Sequence, residues 1–299
     1  MSRPLWATGA DTGCVIETEA ISKNMSKKSK QPEHKKSLTT NPSRTDRLFD
    51  LIGHQIFQRD YAGAIANSER LLSYLPQRTP QHADVLAQMG VAHAMLQNYP
   101  QSYEAFTEAL EITPNNAELW FNRGMASRFT SRFGRSLRDF ERAAELNAAT
   151  KKSDLAKKLD KELKFGRKLA KESVKLRGPD FTLDQLIEQE DLFQRGLNQM
   201  EAGKWEEAEQ ALRASIAMGD CLPQPWGNLG LCLMMQERYD EAETALKRAL
   251  VIDPNYAIAK RNLAALPETR RTGPPKTVGI TDPFKGSKTR QSITFYLEE

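Results

Sequence analysis

An all-α solenoid of helical hairpins, about five units plus a capping helix and broken once by a long basic helix, is what this 299-residue sequence predicts. Three observations predict it. Leu86-Ala87-Gln88-Met89-Gly90 recurs 34 residues later as Trp120-Phe121-Asn122-Arg123-Gly124, and Leu192-Phe193-Gln194-Arg195-Gly196 recurs at the same spacing as Trp226-Gly227-Asn228-Leu229-Gly230. A fixed period of this length marks units too small to bury their own apolar faces, which must stack on neighbours. Within each period large and small residues alternate at spacings of three, four and seven, placing them on single faces of two helices. A lysine-rich stretch without the repeat separates the two pairs.

The elements follow in order. Residues 1–44 are rich in Ser, Thr and Lys, hold few large apolar groups after Ile21, and are expected to form a disordered basic arm. Met25 opens a second possible start, so residues 1–24 could be an upstream extension. A weaker unit aligns at 45–78, with Leu48, Leu51, Tyr61, Ala64, Leu71 and Pro76 in place. Units at 83–116 and 117–150 complete the first block. With the glycine set at position 8, position 4 is large and apolar (Leu86, Trp120, Leu192, Trp226) and position 17 aromatic (Tyr99, Phe133, Trp205, Tyr239). Position 24 is bulky (Phe106, Phe140, Leu212, Leu246), and positions 20 and 27 are small. Large side chains then fill the holes that small ones leave between paired helices. Pro114 and Pro254 end their units because proline cannot continue a helix.

Residues 151–188 are a basic helical insertion leading into the next unit: Leu155, Leu159, Leu163, Ala170 and Val174 make a stripe, and Gly178-Pro179 ends it. Thr182 and Gln185 read as a capping box opening the following helix. Units at 189–222 and 223–256 form the second block, and 257–266 a capping helix. Residues 267–299 are a tail in which Ile293, Phe295 and Leu297 alternate as in a short strand.

The repeat resembles the tetratricopeptide repeat family, whose 34-residue unit is an antiparallel helix pair with this large/small alternation. The resemblance implies that first helices line a concave groove, with positions 2, 5, 6, 9, 12 and 13 facing it. Here those positions give an apolar lining in which Phe121, Met125, Phe193 and Met234 stand out; thioethers suit surfaces that adapt to varied peptides. Position 6 carries a primary amide in five first helices: Gln88, Asn122, Gln194, Asn228 and Asn262. Such amides can donate to and accept from an extended peptide backbone without choosing its sequence. The family's carboxylate clamp for chaperone tails is absent, since Ala87, Val91 and Glu118 occupy clamp positions. The expected function is a non-catalytic adaptor that captures a peptide segment of a partner protein.

Charge supports an alternative. The net charge of +4 hides a split, with the repeats acidic and residues 123–177 holding seventeen Lys and Arg against seven Asp and Glu. Arg128, Arg132, Arg135, Lys157, Lys164 and Lys168 are the candidate contacts for a polyanion such as nucleic acid. The competing expectation is that these charges pair with the chain's own acidic repeats.

Catalysis finds no foothold. Four histidines show no metal-ligand spacing, no phosphate loop or nucleophile elbow appears, and no cofactor or metal is expected. Cys14, Cys221 and Cys232 are scattered without a C-x-x-C pair, as expected of free thiols in a reducing cytoplasm. No stretch of about 18 apolar residues exists to span a membrane.

Overall fold

A computed structural model of the chain describes residues 43–150 and 153–274. The N-terminal arm up to residue 42 and the Ile293–Leu297 segment lie outside them. The described residues form twelve helices and no strand. They are α1 (Arg44–Phe57), α2 (Tyr61–Leu72), α3 (Pro80–Met95), α4 (Tyr99–Ile112), α5 (Ala117–Phe129) and α6 (Phe133–Thr150). After α7 (Ser153–Arg177) come α8 (Leu183–Glu201), α9 (Trp205–Met218), α10 (Pro223–Met235), α11 (Tyr239–Ile252) and α12 (Ala257–Thr272).

Contacts divide the described residues into two compact units, one holding those up to 127 and those from 139 to 160, the other 128–138 and those from 161 onward. The division cuts through α6 rather than falling between repeats. In the first unit α1 through α4 pack in sequence, and α1 also touches α3. In the second, α8 pairs with α9 and α10 with α11, while α10 meets α8, α9, α11 and α12.

The hairpins close as their residue sizes dictate. A Cβ added at Gly90 would lie 2.9 Å from the Phe106 ring, at Gly124 2.8 Å from Phe140, at Gly196 2.8 Å from Leu212 and at Gly230 2.6 Å from Leu246. Position 8 is therefore glycine because position 24 of the same unit is seated against its Cα. Phe106, Phe140, Leu212 and Leu246 are all at most 1 % exposed.

Each first helix also ends the same way. Arg59, Gln97, Ser131, Gly203 and Glu237, all at position 15, have φ between 59° and 70°. Around them the N–H of Asp60 reaches the carbonyl of Gln55, and likewise Asn98 to His93, Lys204 to Gln199 and Arg238 to Leu233. This is the Schellman closure, which needs one left-handed residue. Only Gly203 signals it in sequence.

Two helices differ from their sequence-based extent. The capping helix α12 runs to Thr272 instead of stopping at 266, with Pro267 inside it. The proline forfeits one hydrogen bond to the Leu263 carbonyl, but Leu266 and Thr269 beyond it are buried, and the Thr269 hydroxyl donates to the Ala265 carbonyl at 3.0 Å. Continued burial outweighs the lost bond. Helix α8 begins at Leu183, where the Thr182–Gln185 capping box is formed.

Candidate functional site

The five position-6 amides do not share one environment. Gln88 on α3 and Asn122 on α5, both in the first unit, are half-buried and neither side chain makes a hydrogen bond. Beside them Ala87, Val91, Phe121 and Met125 are also half-buried, with Phe121 tilted against Phe140 at a centroid distance of 5.6 Å. In the second unit Gln194 on α8 is half-buried and donates to the Asn198 side chain at 2.9 Å. Asn228 is 1 % exposed and Asn262 fully buried. The Asn228 amide nitrogen and both amide atoms of Asn262 have no partner.

This corrects the sequence-based picture for the second unit. Met234, expected in the groove, is fully buried in the core with Leu229, Leu233 and Leu246. The reason is α10 itself: four helices surround it, so almost its whole length from Pro223 to Met234 is inside. Asn262 shares its face of α12 with Ala259, Leu266 and Thr269, all buried. Neither amide can meet a peptide while these helices stay packed. Phe193 remains half-buried against the same core.

Most arginines of the basic region are likewise engaged by the chain's own acids, some buried and some at the surface. Arg123 donates twice to the buried Asp139, at 2.9 and 2.7 Å, and stacks over Trp120 at 4.5 Å from the ring centroid. Arg128 pairs with the buried Glu162 at 3.2 Å. Arg132 and Arg135 both hold Asp191, and Arg138 holds Asp184. Lys157, Lys164 and Lys168, in contrast, are exposed on α7.

One functional-looking residue was invisible in the sequence. Glu190 on α8 is 8 % exposed and accepts the backbone N–H groups of Gly134 and Arg135 at 3.0 and 3.1 Å. It caps the N-terminus of α6 from 55 residues away, satisfying two amides that the helix cannot. Burial pushes its carboxyl up to about 7, although these two amides, Arg132 and Arg177 all pull the other way. Gly134 belongs to the same contact: a Cβ there would lie 2.9 Å from Ile187, where α8 presses on this helix start. The Cys232 thiol is buried and pushed up to about 12, which leaves it unreactive. Among the described residues no cluster of metal ligands occurs, and no helix is long and apolar enough to cross a membrane.

Hairpins of this period, closed by glycine against a bulky residue, define an all-α repeat scaffold. Models of the tetratricopeptide repeat match residues 83–116 and 193–257, so the chain carries tetratricopeptide repeats there. A peroxisomal targeting signal receptor from Yarrowia lipolytica is 33 % identical over 82 residues, which is 27 % of this chain and 14 % of that protein. The chain thus matches a small part of that relative's length. Among solved structures, YrrB, described as a TPR protein with an unusual peptide-binding site, aligns at 16 % identity over 81 % of this chain and 95 % of its own, with a TM-score of 0.32. The TPR2AB domain of yeast Sti1 in complex with pHSP90 aligns at 14 % identity over 76 % and 84 %, TM-score 0.36. The P58(IPK) TPR domain does so at 10 % identity over 77 % and 66 %, TM-score 0.42.

Proposed function

We propose that this protein is an interaction scaffold that captures an extended segment of a partner protein on the first-helix faces of its first unit. The observation that carries this reading is the pair Gln88 and Asn122, equivalent amides of successive repeats, both partly open and both without a hydrogen-bond partner. Gln88 also holds a carbonyl oxygen that is buried and unpaired, which an incoming backbone N–H would satisfy. The half-open Val91, Phe121 and Met125 supply apolar contact beside them. Amides fix the backbone of the guest; the adaptable apolar side chains accept its varied residues. The second unit, with Asn228, Asn262 and Met234 closed into its core, serves as structure rather than as a receptor.

The test is capture of partners by the full chain with crosslinking to locate the contact. Gln88→Ala with Asn122→Ala should weaken capture by about tenfold, the value of one or two hydrogen bonds, with helicity unchanged. Asn228→Ala should leave capture intact. Equal capture by the Gln88/Asn122 variant, or crosslinks confined to the second unit, would refute the assignment.

A further inference from the structure

Helix α7 keeps a row of cations that the rest of the fold does not neutralise. Lys161, Lys164, Lys168, Lys171 and Lys175 are exposed, and none has an acidic partner among the described residues. Elsewhere several exposed basic residues are matched, Arg213 with Glu209 at 2.7 Å, Lys247 with Glu243 at 2.6 Å and Arg248 with Asp220 at 2.5 Å, while unmatched ones such as Arg59, Arg78, Arg195 and Lys204 stand singly on different elements. The nearby arginines are matched too, since Arg128, Arg132, Arg135 and Arg138 are bound to Glu162, Asp191 and Asp184. The lysines of α7 are distinguished by standing unmatched in one row.

Their spacing places them together. Steps of three, four, three and four residues confine the five ammonium groups to an arc of about 80° and a length of roughly 21 Å. No other residue type between 161 and 175 falls within that arc. Glu162, Gly166 and Ala170 occupy the opposite, buried side, so the row points away from its own unit. Like charges three and four apart on a helix repel one another, so the row weakens α7 when nothing is bound. Exposed Asp160 and Glu172 flank the row just outside the arc and leave its centre to lysine alone.

The chemistry of the arc selects its occupant. It holds no apolar side chain, so it offers neither the apolar centre of a protein interface, where lysine is depleted, nor the buried face of a membrane-surface helix. It holds no aromatic ring on which an unpaired base could stack. What remains is a straight line of point charges on flexible stems, which matches a linear array of phosphates. We propose that the lysine row of α7 binds the phosphate backbone of a nucleic-acid duplex, without reading its sequence, through release of condensed counterions. This does not depend on the peptide-capture reading: the two surfaces share no residue.

The experiment measures binding of the full chain to a fluorescent 20-base-pair duplex between 50 and 200 mM salt. Five phosphate contacts should give a slope of log K against log salt near −4.5, about −0.9 for each. A variant with Lys161, Lys164, Lys168, Lys171 and Lys175 all changed to Gln should bind roughly 100-fold more weakly at 50 mM and lose most of that slope. Its helicity should be kept or increased, because repulsion along α7 is removed. Unchanged affinity of this variant would assign duplex binding to another basic segment, such as the arm of residues 1–44, and overturn the proposal. So would failure of the wild-type chain to bind at 50 mM salt. Tighter retention on phosphatidylserine vesicles than on duplex, lost in the same variant, would make the row a membrane contact and overturn it as well.

Discussion

Glu190 shows how much a single side chain can hold at once. Its carboxyl satisfies the open end of α6 through Gly134 and Arg135, yet burial makes its charge expensive, and its proton is held up to about 7 against an ordinary 4.5. The folded state therefore prefers the protonated form. Its contribution to stability is fully present below about pH 4.5 and is lost as pH rises through 7, about 3 kcal/mol at roughly 1.4 kcal/mol per unit. Urea unfolding at pH 5 and pH 8 tests this. Glu190→Gln should flatten the difference between the two pH values by a large part of that amount, because a neutral amide stays at the helix end. An undiminished difference would assign the pH dependence to other groups. The sequence shows Glu190 as one acid among many, since its partners lie across the insertion. The position-6 amides are equally ambiguous: the repeat puts Gln88, Asn122, Asn228 and Asn262 in register, but the burial of each is set by its own tertiary surroundings, which the repeat does not encode. With four neighbours around α10, Asn228 ends inside; Asn122 on α5 stays partly open.

At the scale of the helix pair, the sequence was most informative. Glycine at 8 and a bulky residue at 24 are 16 positions apart and meet because one hairpin brings them together, so spacing alone reveals the contact. At Gly230 the fit is tightest: an added Cβ would sit 2.6 Å from both Cγ and Cδ2 of Leu246, near the root of that side chain. Gly230→Ala should therefore destabilise the second unit by about 1–3 kcal/mol, the usual cost of overpacking. Leu246→Ala alone should cost about 2–5 kcal/mol by leaving a cavity. The double variant should lose less than the sum, since each change relieves the other. Strict additivity in denaturant unfolding would mean that these two residues do not compete for one space. The extension of α12 past Pro267 is not legible in the sequence for the opposite reason. Local chemistry says stop, and only the burial of Leu266 and Thr269 says continue.

Across the whole molecule one irregularity is repeated in every unit: the left-handed residue that turns the first helix into the second. It is a glycine only at 203; Arg59, Gln97, Ser131 and Glu237 adopt φ of 65°, 62°, 59° and 63° with a Cβ in place. The Cβ makes that conformation unfavourable by about 1–2 kcal/mol, partly offset because glycine would cost about 0.5–1 kcal/mol more to order. Nearest-neighbour coupling between repeats does not require the side chain there, for Arg59 and Glu237 are both exposed. The four positions thus retain a strain that tertiary contacts elsewhere in each hairpin overcome. Arg59→Gly in the first unit and Glu237→Gly in the second should each stabilise by roughly 0.5–1 kcal/mol. The two should add, as the sites share no partner. Gly203→Ala should destabilise by about 1 kcal/mol, since the same turn would gain a Cβ at φ 70°. A loss of stability in both glycine variants would show that the turn tolerates Cβ without strain, and that the Schellman closure of each hairpin is held by its hydrogen bonds alone.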